Sequence, residues 1–518
     1  MGEVWAVTAA EARAFDAEAI DRLGVPQRVL MENAGRSAAT ALQRLFPRGQ
    51  VVAIVGVGNN GGDALVALRT LQAWGREVHA ILVADRAPDD PLLHGWAVSL
   101  SVDRELGEGG WRDVLGSAGV VVDGILGTGA RGKARERQAD AIARVNSSGR
   151  PVVAIDVPSG IDASTGATPG AAIRADVTVS FGAPKLGALL HPARALVGRH
   201  VVVEIGFPPM DSDSAAARVI SPDWARARIP RRGTDTHKNK VGRVLIVGGQ
   251  VGMAGAAILC ARGAFRSGTG LVRVSSVPEN REPIQSAVPE AMFVDASDSA
   301  ALEEAIAASD AIAAGPGLGT SEPATAVLNT VASAKALPTV LDADALNIAA
   351  AGTVGDGGGL DLAAIGRSRP LLITPHLGEM ARLQVDGPDL SEDRVAAARA
   401  AAARFECTVL LKGAPSVVAA PRRPLSIDTQ TSSDLAVAGM GDVLTGVCAG
   451  LMSQGLEPGI AAPVGLYLVG RAARLAGRGA ALTPSDVIRW LGEALTEGGV
   501  GESDLPMPFI TFDADPVD

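Results

Sequence analysis

The 518-residue sequence contains few aromatic residues and more acidic than basic ones. Phe, Trp and Tyr make up 3% of the chain, with Tyr467 as the single tyrosine, and the formal net charge is −10. Proteins that bind single-stranded nucleic acid stack the bases on exposed aromatic rings in a basic groove. Proteins that bind phosphate backbones without regard to sequence need a cationic surface. The composition therefore argues against nucleic acid as a partner.

Cysteine is scarce as well. Cys260, Cys407 and Cys448 lie far apart and form no CxxC pair or Cys/His cluster. This sparse, odd-numbered set argues against a disulfide framework or a zinc site and is typical of reduced interior thiols. The chain does not open with a basic segment followed by an apolar one, so we expect no signal peptide and a cytoplasmic protein.

Long apolar runs are also missing. The longest uncharged stretch that resembles a membrane span, Val244 to Ala261, contains four glycines. A membrane-spanning helix needs about 20 predominantly apolar residues, and glycines at this density indicate a strand, a turn and a helix instead. We therefore expect no membrane partner.

Glycine is abundant, with 62 residues, and it separates short β-branched runs from helical stretches. Apolar runs that alternate with helices in this way are typical of buried parallel strands. One series ends near Gly206 and a second begins near Gly242, with Pro-, Ser- and charge-rich residues between them. We predict an α/β protein of two tandem three-layer domains. The predicted boundaries are 1–212 and 237–503 for the domains, 213–236 for a linker and 504–518 for an acidic tail.

The first domain carries a glycine turn directly after its strand QVVAIVG. The turn GVGNNGGD, residues 56–63, contains the spacing G-x-G-x-x-G and precedes a helical stretch. Such a turn brings backbone N–H groups towards a phosphate, which indicates nucleotide binding; the alternative is a tight turn without a ligand. Its two asparagines and its aspartate add side-chain oxygens that could hold a cation or a polar ring.

Two further segments of the first domain offer charged groups. Residues 127–134, GTGARGKA, nearly match a Walker A loop, but Ala134 replaces the hydroxyl that would hold magnesium. We favour a flexible basic loop in which Arg131 and Lys133 contact an anion over a solvated loop without a role. Asp156 ends a strand beside a Pro-Ser-Gly turn, where it could be a general base or could only cap the turn.

The second domain contains a helix start suited to phosphoryl transfer. Gly439, Gly441 and Asp442 lie in the first turn of a predicted helix. Glycines let backbone N–H groups approach a phosphoryl group, and the helix dipole stabilises the charge that develops there. The aspartate could take a proton from an attacking hydroxyl or act only as an N-cap. Lys412 could contact a nucleotide or be an ordinary surface lysine, and His376 could contact a substrate or be structural.

Together these motifs are similar to those of a known family. GVGNNGGD, GILGTGARG, DVPSGIDASTG and FGAPKLG resemble the NAD(P)H-hydrate epimerase domain. GMAGAA, GPGLG, LDADALN, TPHLGEMARL, LKGAPS and GMGDVLTG resemble the ribokinase-like NAD(P)H-hydrate dehydratase domain. They follow one another in the order expected of the fused bacterial repair enzymes. The resemblance implies a Rossmann-like N-terminal domain and a ribokinase-like C-terminal domain.

The resemblance also implies an activity on NADH and NADPH that have become hydrated at the nicotinamide ring. The first domain would interconvert the R and S hydrates. The second would dehydrate the S form at the expense of ADP, through a phosphorylated intermediate, and release AMP and phosphate. The implied small molecules are NAD(P)HX and ADP, and the implied ions are potassium in the first domain and magnesium with ADP in the second. We also expect a homo-oligomer.

The resemblance assigns residues to these steps. Asp156 and Asp442 would be the catalytic residues. The potassium ligands would be Asn60, Asp123 and Ser159. Substrate contacts would come from Asn59, Asn60, Gly61, Gly62, Asp63, Gly127, Thr128, Gly129, Ala130, Arg131, Gly132, Lys133 and Asp156 in the first domain, and from Ala254, Gly317, His376 and Asp442 in the second. The nucleotide contacts would be Lys412, Gly413, Ala414, Pro415, Ser416 and Gly441.

The sequence departs from the family pattern in three places, and it leaves alternatives to the repair function. Ala64 replaces a glycine, Met440 replaces a Thr or Ser, and TSSD at 431–434 stands where many members have a GNPG-like run. An NAD-dependent dehydrogenase would need a catalytic His or Tyr in the first domain, where no recognisable motif supplies one. A ribokinase-like small-molecule kinase fused to an NAD-binding domain would release a stable phosphorylated product. A nucleotide sensor without activity would not need two complete motif sets.

Overall fold

The computed structural model describes residues 3–83, 86, 89–210, 215–233, 241–334, 336–352, 360–383, 393–429, 432–497, 505 and 509–511. The chain divides into two compact units. The first unit comprises Val4–Arg218 and Gly501–Asp518, and the second comprises Met1–Glu3 and Val219–Val500. Within the described ranges, no helix combines the length and the apolar character needed to cross a bilayer.

The first unit is built on a parallel sheet. The strands up to residue 219 are β1 (Trp5–Ala6), β2 (Gln50–Val55), β3 (Val78–Leu82), β4 (Ser99–Val102), β5 (Ala118–Gly124), β6 (Val152–Ile155), β7 (Val177–Phe181), β8 (Arg199–Val203) and β9 (Ala217–Val219). Of these, β2 to β8 belong to the parallel sheet. The helices are α1 (Ala9–Ala17), α2 (Gln27–Leu45), α3 (Asn59–Ala73), α4 (Asp103–Ser117), α5 (Glu136–Ser147) and α6 (Arg194–Val197), with a π-helical turn at Glu18–Arg22.

Both faces of this sheet are covered by helices. Side chains alternate between the faces of a strand, and both sets are apolar in β2. Val51, Ala53 and Val55 pack in one core with residues of α2 and α3. Val52 and Ile54 pack in another core with residues of α4 and α5. This confirms the predicted three-layer α/β arrangement.

The strand order places a ligand crevice at a defined point. The strands run in the order β8-β7-β6-β5-β2-β3-β4, and all these pairings are parallel. The chain therefore moves to one side of the sheet after β2 and to the other side from β5 onwards. Open α/β sheets bind ligands outside the carboxyl ends of the strands at such a reversal.

The second unit also has a mainly parallel sheet. Its strands are β10 (Arg243–Val247), β11 (Leu271–Ser276), β12 (Met292–Asp295), β13 (Ala311–Ala314), β14 (Thr339–Leu341), β15 (Leu371–Ile373), β16 (Thr408–Leu411), β17 (Val417–Ala419) and β18 (Leu425–Ile427). Its helices are α7 (Pro222–Arg226), α8 (Ala254–Arg266), α9 (Arg281–Ala287), α10 (Ser299–Ala307), α11 (Glu322–Ser333), α12 (Asp344–Gly352), α13 (Leu362–Ser368), α14 (Leu377–Arg382), α15 (Arg394–Arg404), α16 (Met440–Ser453), α17 (Pro458–Ala476) and α18 (Pro484–Thr496).

In this second sheet the strand order is β12-β11-β10-β13-β14-β15-β16-β17-β18, and the pairings of β17 with β16 and with β18 are antiparallel. The order reverses between β10 and β13. Helices α8 and α16 pack so closely that a Cβ at Gly446 would lie only 2.0 Å from the carbonyl oxygen of Cys260. A Cβ at Gly263 would lie 2.5 Å from the carbonyl oxygen of Val443. The two glycines thus hold the buried α16 against α8 and fix where α16 begins.

Two segments predicted as linker and tail are partly folded. Helix α7 lies within 213–236 and packs its buried Trp224 into the core of the second unit. Phe509–Thr511 forms β19, which pairs antiparallel with β8 at the edge of the first sheet. Residues 211–214, 234–240, 506–508 and 512–518 lie outside the described residues. The domain boundaries stay a prediction.

Candidate active sites

A cavity of about 680 Å³ opens in the first unit. Part of its wall comes from the segments that follow β2, β5, β6 and β7, because parallel strands end at the same edge of a sheet, and the rest comes mainly from α1, α2 and the segment after β8. The predicted site residues that line it are Asn59, Asn60, Asp63, Gly127, Thr128, Gly129, Ala130, Arg131, Gly132, Lys133 and Asp156. The fold therefore brings together the glycine turn, the basic loop and the strand end that the sequence analysis selected separately.

Two glycines of the predicted set shape the turn and do not line the cavity. A Cβ at Gly61 would lie 2.0 Å from the carbonyl oxygen of Gly56, and one at Gly62 would clash with an underlying side chain. Arg86 Nη1 donates to the carbonyl oxygens of Gly56 at 2.6 Å and Gly58 at 3.3 Å. The turn is thus folded tightly around an arginine that the sequence analysis missed, and its asparagines face the cavity.

Asp156 forms a buried ion pair with Lys185 at the end of β6. Lys185 is 4% exposed, and its Nζ donates to Asp156 Oδ1 and, at 2.9 Å, to the carbonyl oxygen of Phe181. The φ angle of Asp156 is 65°, in the left-handed region that costs most L-residues about 1–2 kcal/mol and that Asp visits more readily. Backbone strain of this kind clusters at functional sites.

Two more carboxylates share this wall of the cavity. Burial, and then the charges of Asp156 and Asp16, raise the pKa of Asp63 well above its usual range. Burial also raises the pKa of Asp16, although the charge of Lys185 acts in the opposite direction. Three carboxylates and one lysine therefore lie together on this wall, an arrangement in which burial and mutual repulsion favour the protonated form of a carboxyl group. The sequence analysis did not assign Lys185, which lies in the motif FGAPKLG, or Asp16, which lies in no motif.

The three predicted potassium ligands are linked by hydrogen bonds through Ser159 and the carbonyl oxygen of Leu126. Ser159 Oγ donates to Asp123 Oδ1 at 2.6 Å, and Asn60 Nδ2 donates to the carbonyl oxygen of Leu126 at 2.8 Å. Burial raises the pKa of Asp123 to about 6, against hydrogen bonds from Ser159 and Ile125 that lower it. In the described part of the chain no basic side chain pairs with Asp123. An unpaired buried carboxylate among neutral oxygens fits a monovalent cation.

In the second unit, Asp442 lies in the first turn of α16. It follows Gly439, whose φ of 87° is left-handed, and among the described residues no side chain caps this helix start. The first N–H groups of α16 are therefore available to an anion. Burial and Asp342 raise the pKa of Asp442 to about 7, with Lys412 opposing and Asp344 adding to the rise. A carboxylate that titrates near neutral pH is suited to take a proton from a hydroxyl.

Lys412 is the only lysine described at this second site, and it is held by carboxylates. Its Nζ donates to Asp342 Oδ1 at 2.7 Å and lies 3.9 Å from Glu379 Oε2. Thr445 Oγ1 on α16 donates to Asp342 Oδ2 at 2.7 Å. Burial lowers the pKa of Lys412, but Asp342 and Glu379 raise it further, so the net shift is upward. A Cβ at Gly441 would lie 3.3 Å from Nζ, so Lys412 faces the start of α16 and is not an ordinary surface lysine.

The other predicted residues of this unit lie on loops around the same sheet edge. His376 begins α14, its Nδ1 accepts from the N–H of Gly378 at 2.9 Å, and about half of its side chain is exposed. Gly317 follows β13 with a φ of 57°, and its Cβ position lies 3.1 Å from the Cβ of Met253, the residue before Ala254. Ala254 and Gly317 are therefore neighbours at the reversal point of the sheet.

The predicted nucleotide loop follows β16. Ser416 Oγ donates to the carbonyl oxygen of Gly413 at 3.0 Å, which closes the loop Gly413, Ala414, Pro415, Ser416. Arg394 Nη1 donates to the carbonyl oxygen of Pro415 at 2.5 Å, and both Nη atoms lie 2.8 Å from the Cβ position of Gly413. Sequence analysis missed Arg394, because nothing in its local pattern distinguishes it. Of the TSSD run, Thr431 lies outside the described residues.

The fold and the two sites define a class of protein. A Rossmann-like unit places the ion pair of Asp156 and Lys185 in a cavity, and a ribokinase-like unit places an aspartate at a helix start that no described side chain caps. These features are those of a two-domain α/β enzyme that acts on nucleotide-like molecules.

Comparisons with known proteins give the family. Residues 244–491 match the family model described as NAD(P)H-hydrate dehydratase, and residues 27–187 match the one described as YjeF-related protein N-terminus. The bifunctional NAD(P)H-hydrate repair enzyme Nnr of Moorella thermoacetica is 38% identical, over 92% of this chain and 93% of that protein. The Nnr enzymes of Salinibacter ruber and Escherichia coli K12 are 37% and 35% identical, over 90% and 89% of this chain and 91% and 87% of theirs. The chain belongs to the family of bifunctional NAD(P)H-hydrate repair enzymes.

The buried pair of Asp156 and Lys185 gives a prediction for stability. Lys185→Met should destabilise the first unit by about 3 kcal/mol at neutral pH, because it leaves a buried carboxylate without its cation. The double variant Lys185→Met, Asp156→Asn should recover most of this loss. Urea unfolding followed on the first unit measures both effects.

Lys133→Met is the matched control, because Lys133 lines the same cavity but is exposed. It should change the free energy of unfolding by less than about 0.5 kcal/mol. Equal losses from the Lys185 and Lys133 variants, or no recovery in the double variant, would contradict the importance of the buried pair.

Proposed function

We propose that this chain repairs hydrated nicotinamide nucleotides in two steps. The first unit epimerises R- and S-NAD(P)HX, and the second unit dehydrates S-NAD(P)HX to NAD(P)H while ADP is converted to AMP and phosphate. The position of Asp442 carries the proposal: it combines a pKa of about 7, a neighbouring lysine and an uncapped helix start. Phosphorylation of a hydroxyl needs a base for the proton and N–H donors for the transferred group.

In the first unit, the side chains of Asp156, Lys185 and Asp63 face the bound hydrate. Interconversion of two epimers requires bond breaking and re-formation at one carbon, which is favoured by an acid and a base on one wall. Burial raises the pKa of Asp63, which suits this group to donate a proton, and the pair of Asp156 and Lys185 beside it exchanges protons with the hydrate. Arg131 and Lys133 on the basic loop contact the phosphates of the substrate.

In the second unit, Asp442 takes the proton of the ring hydroxyl of the S hydrate. The hydroxyl oxygen attacks the β-phosphorus of ADP, and the bond to the α-phosphate breaks, which releases AMP. The phosphorylated hydrate then loses phosphate together with a ring proton, which restores the double bond of the reduced nicotinamide. Gly439 to Asp442 cradle the transferred phosphoryl group, and Lys412 to Ser416 hold the nucleotide.

Two ions belong to this proposal. Asn60, Asp123 and Ser159 would hold potassium, whose charge would neutralise the buried carboxylate, and magnesium would accompany the nucleotide in the second site. A homo-oligomeric state and a cytoplasmic location remain predictions from the sequence.

A single assay tests the repair function. Purified protein is incubated with mixed R- and S-NADHX and ADP or ATP, and the absorbance of the reduced nicotinamide is followed. We expect complete recovery, whereas a small-molecule kinase would leave a stable phosphorylated product. Failure to recover NADH with either nucleotide would refute the proposal.

Site variants test the division of labour. Asp442→Asn should abolish recovery while R and S forms continue to interconvert, because the base of the second step is lost. Asp156→Asn should leave conversion of the S form intact and block only the R form. Chromatographic separation of the epimers measures each step. If Asp156→Asn stops both conversions, the assignment of the two units is wrong.

The pKa of Asp442 predicts the pH dependence of dehydration. The base acts only when ionised, so kcat/KM for S-NADHX should rise about tenfold per pH unit below pH 7 and level off above it. Initial rates with the S form at saturating ADP give this profile. A rate that is flat or falls from pH 5 to pH 8 would show that Asp442 is not the base.

Potassium binding can be tested without an activity measurement. Potassium should raise the melting temperature of the first unit in wild-type protein, because the ion binds only the folded oxygen set. Asp123→Asn should weaken this stabilisation by at least about tenfold in potassium concentration, since it removes the charged ligand. Asp140→Asn, an exposed aspartate on α5, is the control. An equal response of both variants, or an equal effect of lithium, would contradict a potassium site.

A further inference from the structure

The end of β6 departs from an ordinary parallel ladder at Asp156. The N–H of Asp156 donates to the carbonyl oxygen of Val179 on β7 at 2.8 Å. The next ladder bond would join the N–H of Phe181 to the carbonyl oxygen of Asp156. Instead, the N–H of Phe181 donates to the side-chain Oδ1 of Asp156 at 3.2 Å. The carboxylate has taken the place of the carbonyl, and the left-handed φ of Asp156 makes this exchange possible.

The displaced carbonyl needs another donor, and Ser180 supplies it. Ser180 Oγ donates to the carbonyl oxygen of Asp156 at 2.6 Å, and His200 Nε2 on β8 lies 2.8 Å from the same Oγ. Ser180 and His200 are both fully buried. A buried carbonyl without a donor is costly, so this hydroxyl is what makes the exchanged conformation stable.

The protonation of His200 follows from these contacts. The carbonyl oxygen of Asp156 is only an acceptor, so the Ser180 hydroxyl must donate to it. Ser180 Oγ then accepts from His200, which places the imidazole proton on Nε2. Burial, with Arg194 and Lys185, lowers the pKa of His200 to about 3, so the ring is neutral and the hydrogen-bond direction is fixed.

We propose that Ser180, oriented by His200, is a positioning residue for epimerisation that holds the Asp156 carboxylate against Lys185 and the cavity. This inference rests on the proposed epimerase function of the first unit. Without the hydroxyl, the carbonyl oxygen of Asp156 loses its donor, so the peptide is more stable if that oxygen accepts from the N–H of Phe181 as in an ordinary parallel ladder. This movement takes the carboxylate away from Phe181 N–H and from Lys185 Nζ.

Ser180→Ala tests the proposal, with the R form as substrate and the S form as an internal standard in the same protein. We expect kcat for the R form to fall about 10- to 100-fold, as for a catalytic group displaced by about an ångström, with KM changed less than about threefold. Conversion of the S form should be unchanged. Ser180→Thr, which keeps the hydroxyl, should restore most of the R rate.

Thr178→Val is the matched control. Thr178 lies two residues earlier on β7, is equally buried, and donates Oγ1 to the carbonyl oxygen of Val197 at 2.7 Å, away from Asp156. It should lower the melting temperature about as much as Ser180→Ala without affecting R conversion. Equal R rates in Ser180→Ala and wild type, or equal losses in the Ser180 and Thr178 variants, would overturn the inference. Wild-type protein that converts S but not R would instead refute the epimerase function itself.

Discussion

Both sites depend on the free-energy cost of burying several carboxylates next to a lysine that can pair with only some of them. In the first unit Lys185 lies on Asp156, and Asp63 has a raised pKa. In the second unit Lys412 is held by Asp342, and Asp442 has a raised pKa. Isolated buried charge is expensive, so burial shifts one carboxyl group in each cluster towards its protonated form. Under the proposed function, the proton that each reaction moves is supplied or accepted by such a group.

The glycine content has two separate structural uses at these sites. At Gly439 a left-handed residue ends the incoming loop and leaves the first N–H groups of α16 without a cap. At Gly446 and Gly263 the absence of Cβ lets α16 approach α8, which fixes the height at which that helix start lies over the sheet. Backbone N–H groups bind phosphate well only if they are rigidly placed, so close helix packing serves the same function as the open helix end.

Sequence analysis succeeded where the relevant interactions are local. Thr8 and Glu11 form the capping box that their spacing in the sequence indicates, with Glu11 N–H donating to Thr8 Oγ1 at 3.2 Å, and the short β-branched runs form strands. Among the strands that the sequence analysis missed, β4 and β12 are short edge strands, and none of their residues is buried. Lys185 lies 29 residues from Asp156, and Lys412 lies 70 from Asp342, so these pairs leave no periodic signal. Only the fold brings them together.

Each site has an aspartate at its centre, and the two aspartates differ because they lie in different backbone conformations. Asp156 ends a strand in a left-handed conformation, and its carboxylate replaces a main-chain acceptor in the ladder with β7. Its position is therefore fixed by the sheet itself. Asp442 lies in the first turn of a helix, where N–H groups and the helix dipole favour negative charge. Burial and Asp342 outweigh that field, so Asp442 can hold a proton and still lie where an anionic phosphoryl group is stabilised. A reversible isomerisation needs a fixed carboxylate beside a proton store, whereas phosphoryl transfer needs a base that coexists with an anion site, and the two backbones meet these different requirements.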